Sequence, residues 1–232
     1  MTTGRSVDRA EAGPAHPGAA SYVRLLRDPA CVRPFAASLL ARLPVSMVPI
    51  GALLLVSRTH GSYSAAGVTT GAFALGTSCG APLWGRLMDR YGQRAVLVPA
   101  TVTSAALLAG LAVAAVARLD VPVLVLLAAL AGVSYPPFSA AMRSAWRVVV
   151  ADETARRAGY ALDAVAVETL FVLGPLLLSV LLVLTPPVAP LLITAALLAV
   201  GGVGYGLGTA AGRCRPDPRA AAGGCADASP PG

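Results

Sequence analysis

Two ionisable side chains, Arg42 and Glu168, sit about midway along apolar runs of membrane length. An ion held at the centre of a bilayer costs roughly 3 kcal/mol on insertion scales, so each needs a partner or a wet cavity. A charge kept there can hold the polar part of a solute, take up a proton, or fix two helices together as a static pair. Arg42 lies about nine residues into its run, which is ~14 Å deep at ~1.5 Å per residue. Glu168 lies at a similar depth in a later run that starts from the same side, so the two can meet. Asp163 precedes Glu168 by five residues and points ~140° away at ~100° per residue. It falls near the end of its run, where capping or snorkelling to the interface is the expected role.

Other chemistry finds little support. The sequence has no Ser-His-Asp set at a workable spacing and no phosphate-cradling glycine loop with a lysine. Its four cysteines, Cys31, Cys79, Cys214 and Cys225, form no CxxC pair and no zinc-like cluster with His16 or His60. Reduced thiols, solvated loop histidines, no metal, no cofactor and no enzymatic activity are expected.

The elements that must position Arg42 and Glu168 follow from composition. The chain has 232 residues, 56% hydrophobic and 12% charged, with mean hydropathy +0.71. Soluble domains carry about 25% charged residues. A helix needs about 20 apolar residues to cross a ~30 Å hydrocarbon core, and the apolar residues come in six runs of that length. They cover about 35–56, 64–84, 95–117, 121–144, 158–184 and 190–207. Their continuity excludes the alternating pattern of a membrane β-barrel. The sequence therefore predicts an all-α membrane protein with six transmembrane helices over 34–208. An N-terminal arm (1–33) and a disordered tail (209–232) flank them. Tyr22 to Arg33 reads as a short helix on the membrane surface.

Every one of the 18 basic residues is an arginine. With the N-terminus inside, fifteen of them fall on the cytoplasmic side, Arg58 and Arg118 fall outside, and Arg42 is embedded. This positive-inside bias orients the bundle with both termini in the cytoplasm, and the cytoplasmic membrane is the expected location. The charge alternates loop by loop instead of gathering on one face, which argues against nucleic acid as a partner. Prolines interrupt the first run (Pro44, Pro49) and the fourth (Pro136, Pro137). These two runs cross in opposite directions, as the first helices of two inverted three-helix repeats would.

Between the second and third runs stands Gly85–Leu97, GRLMDRYGQRAVL. It resembles the signature loop between helices 2 and 3 of the major facilitator superfamily, G-x-L-x-D-R-x-G-R-[RK]-x-x-L. Gly85, Leu87, Asp89, Arg90, Gly92, Arg94 and Leu97 match, and Gln93 stands where a basic residue is usual. Gly174-Pro175 resembles the core of the antiporter motif of drug-exporting members. The middle of the fourth run, LLAALAGVSYPPF, has Gly132 but neither the arginine nor the glutamine of proton-coupled exporters.

Members of that family have two six-helix halves, and the resemblance covers the N-terminal half only. It implies passage of a small solute by alternating access, with export the expected direction and protons a candidate coupling ion. It also implies a substrate site near the midplane touching the first, fourth and fifth helices. Arg42, Tyr135 and Glu168 are the expected substrate or coupling residues, with Arg42 and Glu168 paired or in one polar network. Gly85, Asp89, Arg90, Gly92 and Arg94 are the expected gate, Arg90 and Arg94 pairing with Asp152 or Glu153. The lipid bilayer and an unidentified small molecule are the implied partners, with a second copy or a separate C-terminal half to complete the transporter. The rival reading is a truncated or non-transporting membrane interaction protein.

Overall fold

Aspartate at the head of an apolar stretch starts two of the long helices. Asp28 accepts from the Ala30 N–H at 2.9 Å and is followed by Pro29. Asp152 accepts from the Ala155 N–H at 2.8 Å. Each satisfies a donor that a helix leaves unpaired at its first turn. The structure is a computed structural model that describes residues 19–208 and 211. Most of the expected N-terminal arm and tail lies outside the described residues, with His16, Cys214 and Cys225.

Among the described residues the chain forms eight helices and no strand. They are α1 (Ala19–Arg27), α2 (Pro29–His60), α3 (Tyr63–Tyr91), α4 (Gln93–Val116), α5 (Val121–Val133), α6 (Phe138–Val149), α7 (Glu153–Leu184) and α8 (Ala189–Leu207). Helix α1 packs against α7 and α2, with Leu25 buried. Five stretches are long and apolar enough to cross a membrane: α2, α4, Val121–Val149 (α5 with α6), α7 and α8. Helix α3, with 29 residues, is long enough but too polar to join them. Serines, threonines and the charged end at Arg86, Asp89 and Arg90 account for this.

The prolines act differently in the two interrupted runs. Helix α2 continues unbroken through Pro44 and Pro49, contrary to the expected interruption. Isolated prolines each remove one donor, which a packed helix tolerates in a membrane. Pro136-Pro137 removes two successive donors and pushes Tyr135 and Pro136 out of the helical region. There the helix breaks between α5 and α6. Hydrogen bonds from the Trp84 indole to the Val133 carbonyl and from the Ser104 hydroxyl to the Ala131 carbonyl satisfy acceptors near the break.

Helix α2 packs on α8, α3 and α7, while α5 packs on α3 and α4, and α4 on α8. Small residues set the closest approaches, as expected where lipid supplies no hydrophobic drive between helices. A Cβ at Gly132 would collide with the backbone of Phe73 and Thr77, and one at Gly201 with that of Leu40 and Ala41. At the centre a run of edge-to-face rings, Phe73–Tyr135–Phe138–Tyr205, has centroids 6.2 Å apart at each step. Outward, Leu75, Leu126, Val172 and Val183 are exposed apolar side chains, the surface a bilayer would cover. On the loop side, His60 Nε2 donates to the Leu119 carbonyl at 2.9 Å, so His60 ties two loops together and is not simply solvated.

Candidate functional site

Helix α2 carries Arg42 into the middle of the bundle. Its Nη1 is 2.7 Å from Asp163 Oδ1 on α7, and the two side chains are only 5% and 8% exposed. Its Nη2 donates to the Phe138 carbonyl at the start of α6, 3.2 Å away. The Arg42 Nε is buried with no partner among the described residues.

This corrects the expected Arg42–Glu168 pair. Asp163 is the partner and is buried, whereas Glu168 is exposed on the outer face of α7. Helical phase gives the reason. The buried stripe of α7 includes Gly159, Asp163, Gly174 and Leu178. Asp163 lies within about 20° of Gly174 around the helix, and Glu168 about 120° away. A further cause is the start of α7. It begins at Glu153, so Asp163 is ten residues inside the helix and not at its edge.

Beside the ion pair lies a cavity of about 290 Å³. Arg42, Ser46, Thr77, Tyr135, the break at Pro136-Pro137 and Ser139 line it together with the apolar Val45, Val167, Leu170 and Phe171. Thus the structure brings Arg42 and Tyr135 together and leaves Glu168 out of the wall. Sequence reasoning put Asp163 at the helix end instead of in the site, and missed Ser139. The glycines in phase with Asp163 were a usable signal for its burial; nothing in the sequence singled out Ser139. Tyr135 is buried, and its hydroxyl donates to the Ala41 carbonyl at 2.7 Å, tying the break to α2. Tyr135→Phe should cost about 0.6 kcal/mol, the average of membrane hydrogen bonds. A shift in denaturant midpoint several times larger would contradict the assignment. Gly174 packs on Ser46, whose hydroxyl donates to the carbonyls of Leu43 and Leu170, so this glycine lets α7 close on α2.

The charged hairpin is tighter than its sequence implies. Helix α3 runs to Tyr91 and α4 begins at Gln93, so Gly92 alone makes the turn, at φ 85°. Only glycine adopts that conformation readily. Gly85 is half-buried, and Asp89, Arg90 and Arg94 are exposed. Arg90 stacks on the Tyr91 ring, 5.3 Å from its centroid. The expected pairing of Arg90 and Arg94 with Asp152 or Glu153 does not form. Asp152 caps α7, and Glu153 pairs with Arg157 at 2.6 Å. Asp89 makes no ion pair among the described residues. Gln93, the departure from the motif, is buried. It donates to the Ala141 carbonyl at 3.2 Å and accepts from the Tyr205 hydroxyl at 3.3 Å.

The family model described as Major Facilitator Superfamily matches residues 35–226. The chain belongs to the Major Facilitator Superfamily. The match takes in the hairpin, the ion pair and the cavity. The protein is a multi-pass membrane protein and a transporter of the major facilitator kind. No curated protein and no solved structure matches it.

Proposed function

We propose that this major facilitator chain moves a small solute outward across the cytoplasmic membrane by alternating access, binding it in the cavity beside Arg42 and Tyr135. The observation that carries the reading is the ion pair Arg42–Asp163 at the one helix break among the described residues, next to that cavity. Buried ions inside a membrane are costly and mark solute and ion pathways. A broken helix at the same depth supplies backbone groups to a site. The outward direction rests on Gly174-Pro175, which resembles the antiporter core of exporting members.

In this reading α3 completes a set of six spans, both termini are cytoplasmic, and α2–α4 and α5–α8 form two inverted three-helix repeats. The packing supports the repeat: exchanging the two units turns the α2–α8 contact into α5–α4, and the α3–α5 contact into α7–α2.

The six spans fit the N-terminal half of a two-half transporter, with a second copy or a separate C-terminal half facing α3 and α7. Glu168 supports this. It sits at the middle of the 32-residue α7 on an exposed face, where bare lipid would be a costly neighbour for a carboxylate. Asp89, exposed at the end of α3 and in no ion pair among the described residues, is a further charge open to such a partner.

Flux in proteoliposomes loaded with a panel of lipophilic dyes tests the transport reading, and crosslinking in native membranes tests the second half. A strictly monomeric chain with no flux of any dye would overturn both. Glu168→Gln should leave the unfolding midpoint unchanged and lower flux at least ten-fold. Full flux in that variant would remove Glu168 from the coupling role.

A further inference from the structure

The cavity holds an unused set of hydrogen-bond donors. Helix α6 starts inside the bundle, after Pro137, and no side chain caps it. Of its first backbone N–H groups, Phe138 bonds to the Pro136 carbonyl, and Ala140 and Ala141 share the Pro137 carbonyl. The Ser139 N–H and the Ser139 hydroxyl have no acceptor among the described residues. Both belong to a residue that lines the cavity. The Arg42 Nε is a further donor without a partner, on a side chain 95% buried that lines the same cavity.

The start of a helix carries a partial positive charge of roughly half a unit and is a ready anion site. Asp163 offsets the Arg42 charge through Nη1, but it does not line the cavity. The cavity lining therefore brings together the Arg42 side chain, Ser139 at the start of α6 and the hydroxyl-bearing Ser46 and Thr77, with no carboxylate among them. Val45, Val167, Leu170 and Phe171 give the same cavity an apolar surface.

Resting on the transport reading above, we infer that the solute is a lipophilic monocarboxylate. Its carboxylate lies between the Arg42 guanidinium and the Ser139 end of α6, and its apolar or aromatic body lies on Val45, Leu170 and Phe171. One guanidinium N–H, one backbone N–H and one hydroxyl suit the two oxygens of a planar monoanion. They are too few for a phosphate dianion in so apolar a chamber. The guanidinium then serves two carboxylates, one from the protein and one from the solute, so that binding loosens the hold of Arg42 on α7.

The probes are 2-naphthoate and its neutral counterpart of the same shape, 2-naphthamide. Binding to the whole chain in nanodiscs is read by equilibrium dialysis at pH 7, with empty nanodiscs subtracted. Naphthoate should bind at least ten-fold tighter than naphthamide. Ser139→Ala should weaken naphthoate several-fold and leave naphthamide unchanged. Arg42→Gln alone strands Asp163 and risks unfolding, so Arg42→Gln/Asp163→Asn, which removes both charges, should abolish the preference. Equal binding of acid and amide, both lost in Val167→Trp, would overturn the carboxylate assignment while leaving the cavity as the solute site. A preference that survives unchanged in the double variant would overturn it as well. If neither probe binds, the carboxylate assignment falls, and dye flux decides the transport reading separately.

Discussion

Asp163→Asn is expected to cost about 3–5 kcal/mol, the usual penalty for removing one partner of a buried ion pair. The loss is large because Arg42 stays 95% buried with its charge, and asparagine returns none. A typical domain has only about 5–15 kcal/mol of stability to lose. Arg42→Gln/Asp163→Asn should recover most of the deficit, since two neutral amides can hydrogen-bond where one stranded ion cannot. The measurement is denaturant unfolding in detergent followed by tryptophan fluorescence; Trp84 and Trp146 are the two reporters. An Asp163→Asn chain that unfolds at the parent midpoint would show that the pair adds nothing to the fold.

Gly132→Val is expected to cost about 3 kcal/mol, the upper end for overpacking. The position explains the size. A Cβ at Gly132 would lie 3.0 Å from the Phe73 carbonyl carbon and 3.0 Å from the Thr77 nitrogen. Backbone cannot move aside as a flexible side chain would, so α3 and α5 must part. The Trp84–Val133 bond and the facing contacts at Gly76 and Gly80 go with them. Gly71→Val is the control: nothing lies within 4 Å of its added carbon, so stability should stay within about 0.5 kcal/mol. If both variants unfold alike, the close crossing of α3 and α5 is not what holds them.

Five of the expected spans were legible because a continuous apolar run of membrane length suits little besides a bilayer, and the hairpin because glycine and charge mark a turn. The break at Pro136-Pro137 could be read directly, since two adjacent missing donors cannot be absorbed. A membrane arginine at position 42 announced that it needed a partner. The partner itself was misread because depth was weighed and helical phase was not. Gly159 and Gly174 already marked which face of α7 packs, and Asp163 shares it. Asp152-Glu153 also carried a helix-start signal, which moves Asp163 away from the helix end. Gln93 resisted reading on different grounds: hairpin glutamines are ordinarily solvated, and only the approach of α6 and α8 buries this one. Span α2 looked breakable by its prolines, but single missing donors do not decide a helix that its neighbours hold on several sides.

The burial of α7 differs from that of the other long helices. Only 11% of its most apolar stretch is covered by the rest of the chain, against 61% for α2. What binds α7 is a short column: Gly159 on Trp146, Asp163 on Arg42, Gly174 on Ser46 and Leu178 beside Met47. Such a helix behaves as a lever on a pivot. Its backbone amides should exchange with deuterium sooner than those of α2, and a solute that borrows the guanidinium would slacken the pivot at the moment of binding. Occupancy of the cavity would then be felt as motion of the helix that carries Glu168, without any separate relay.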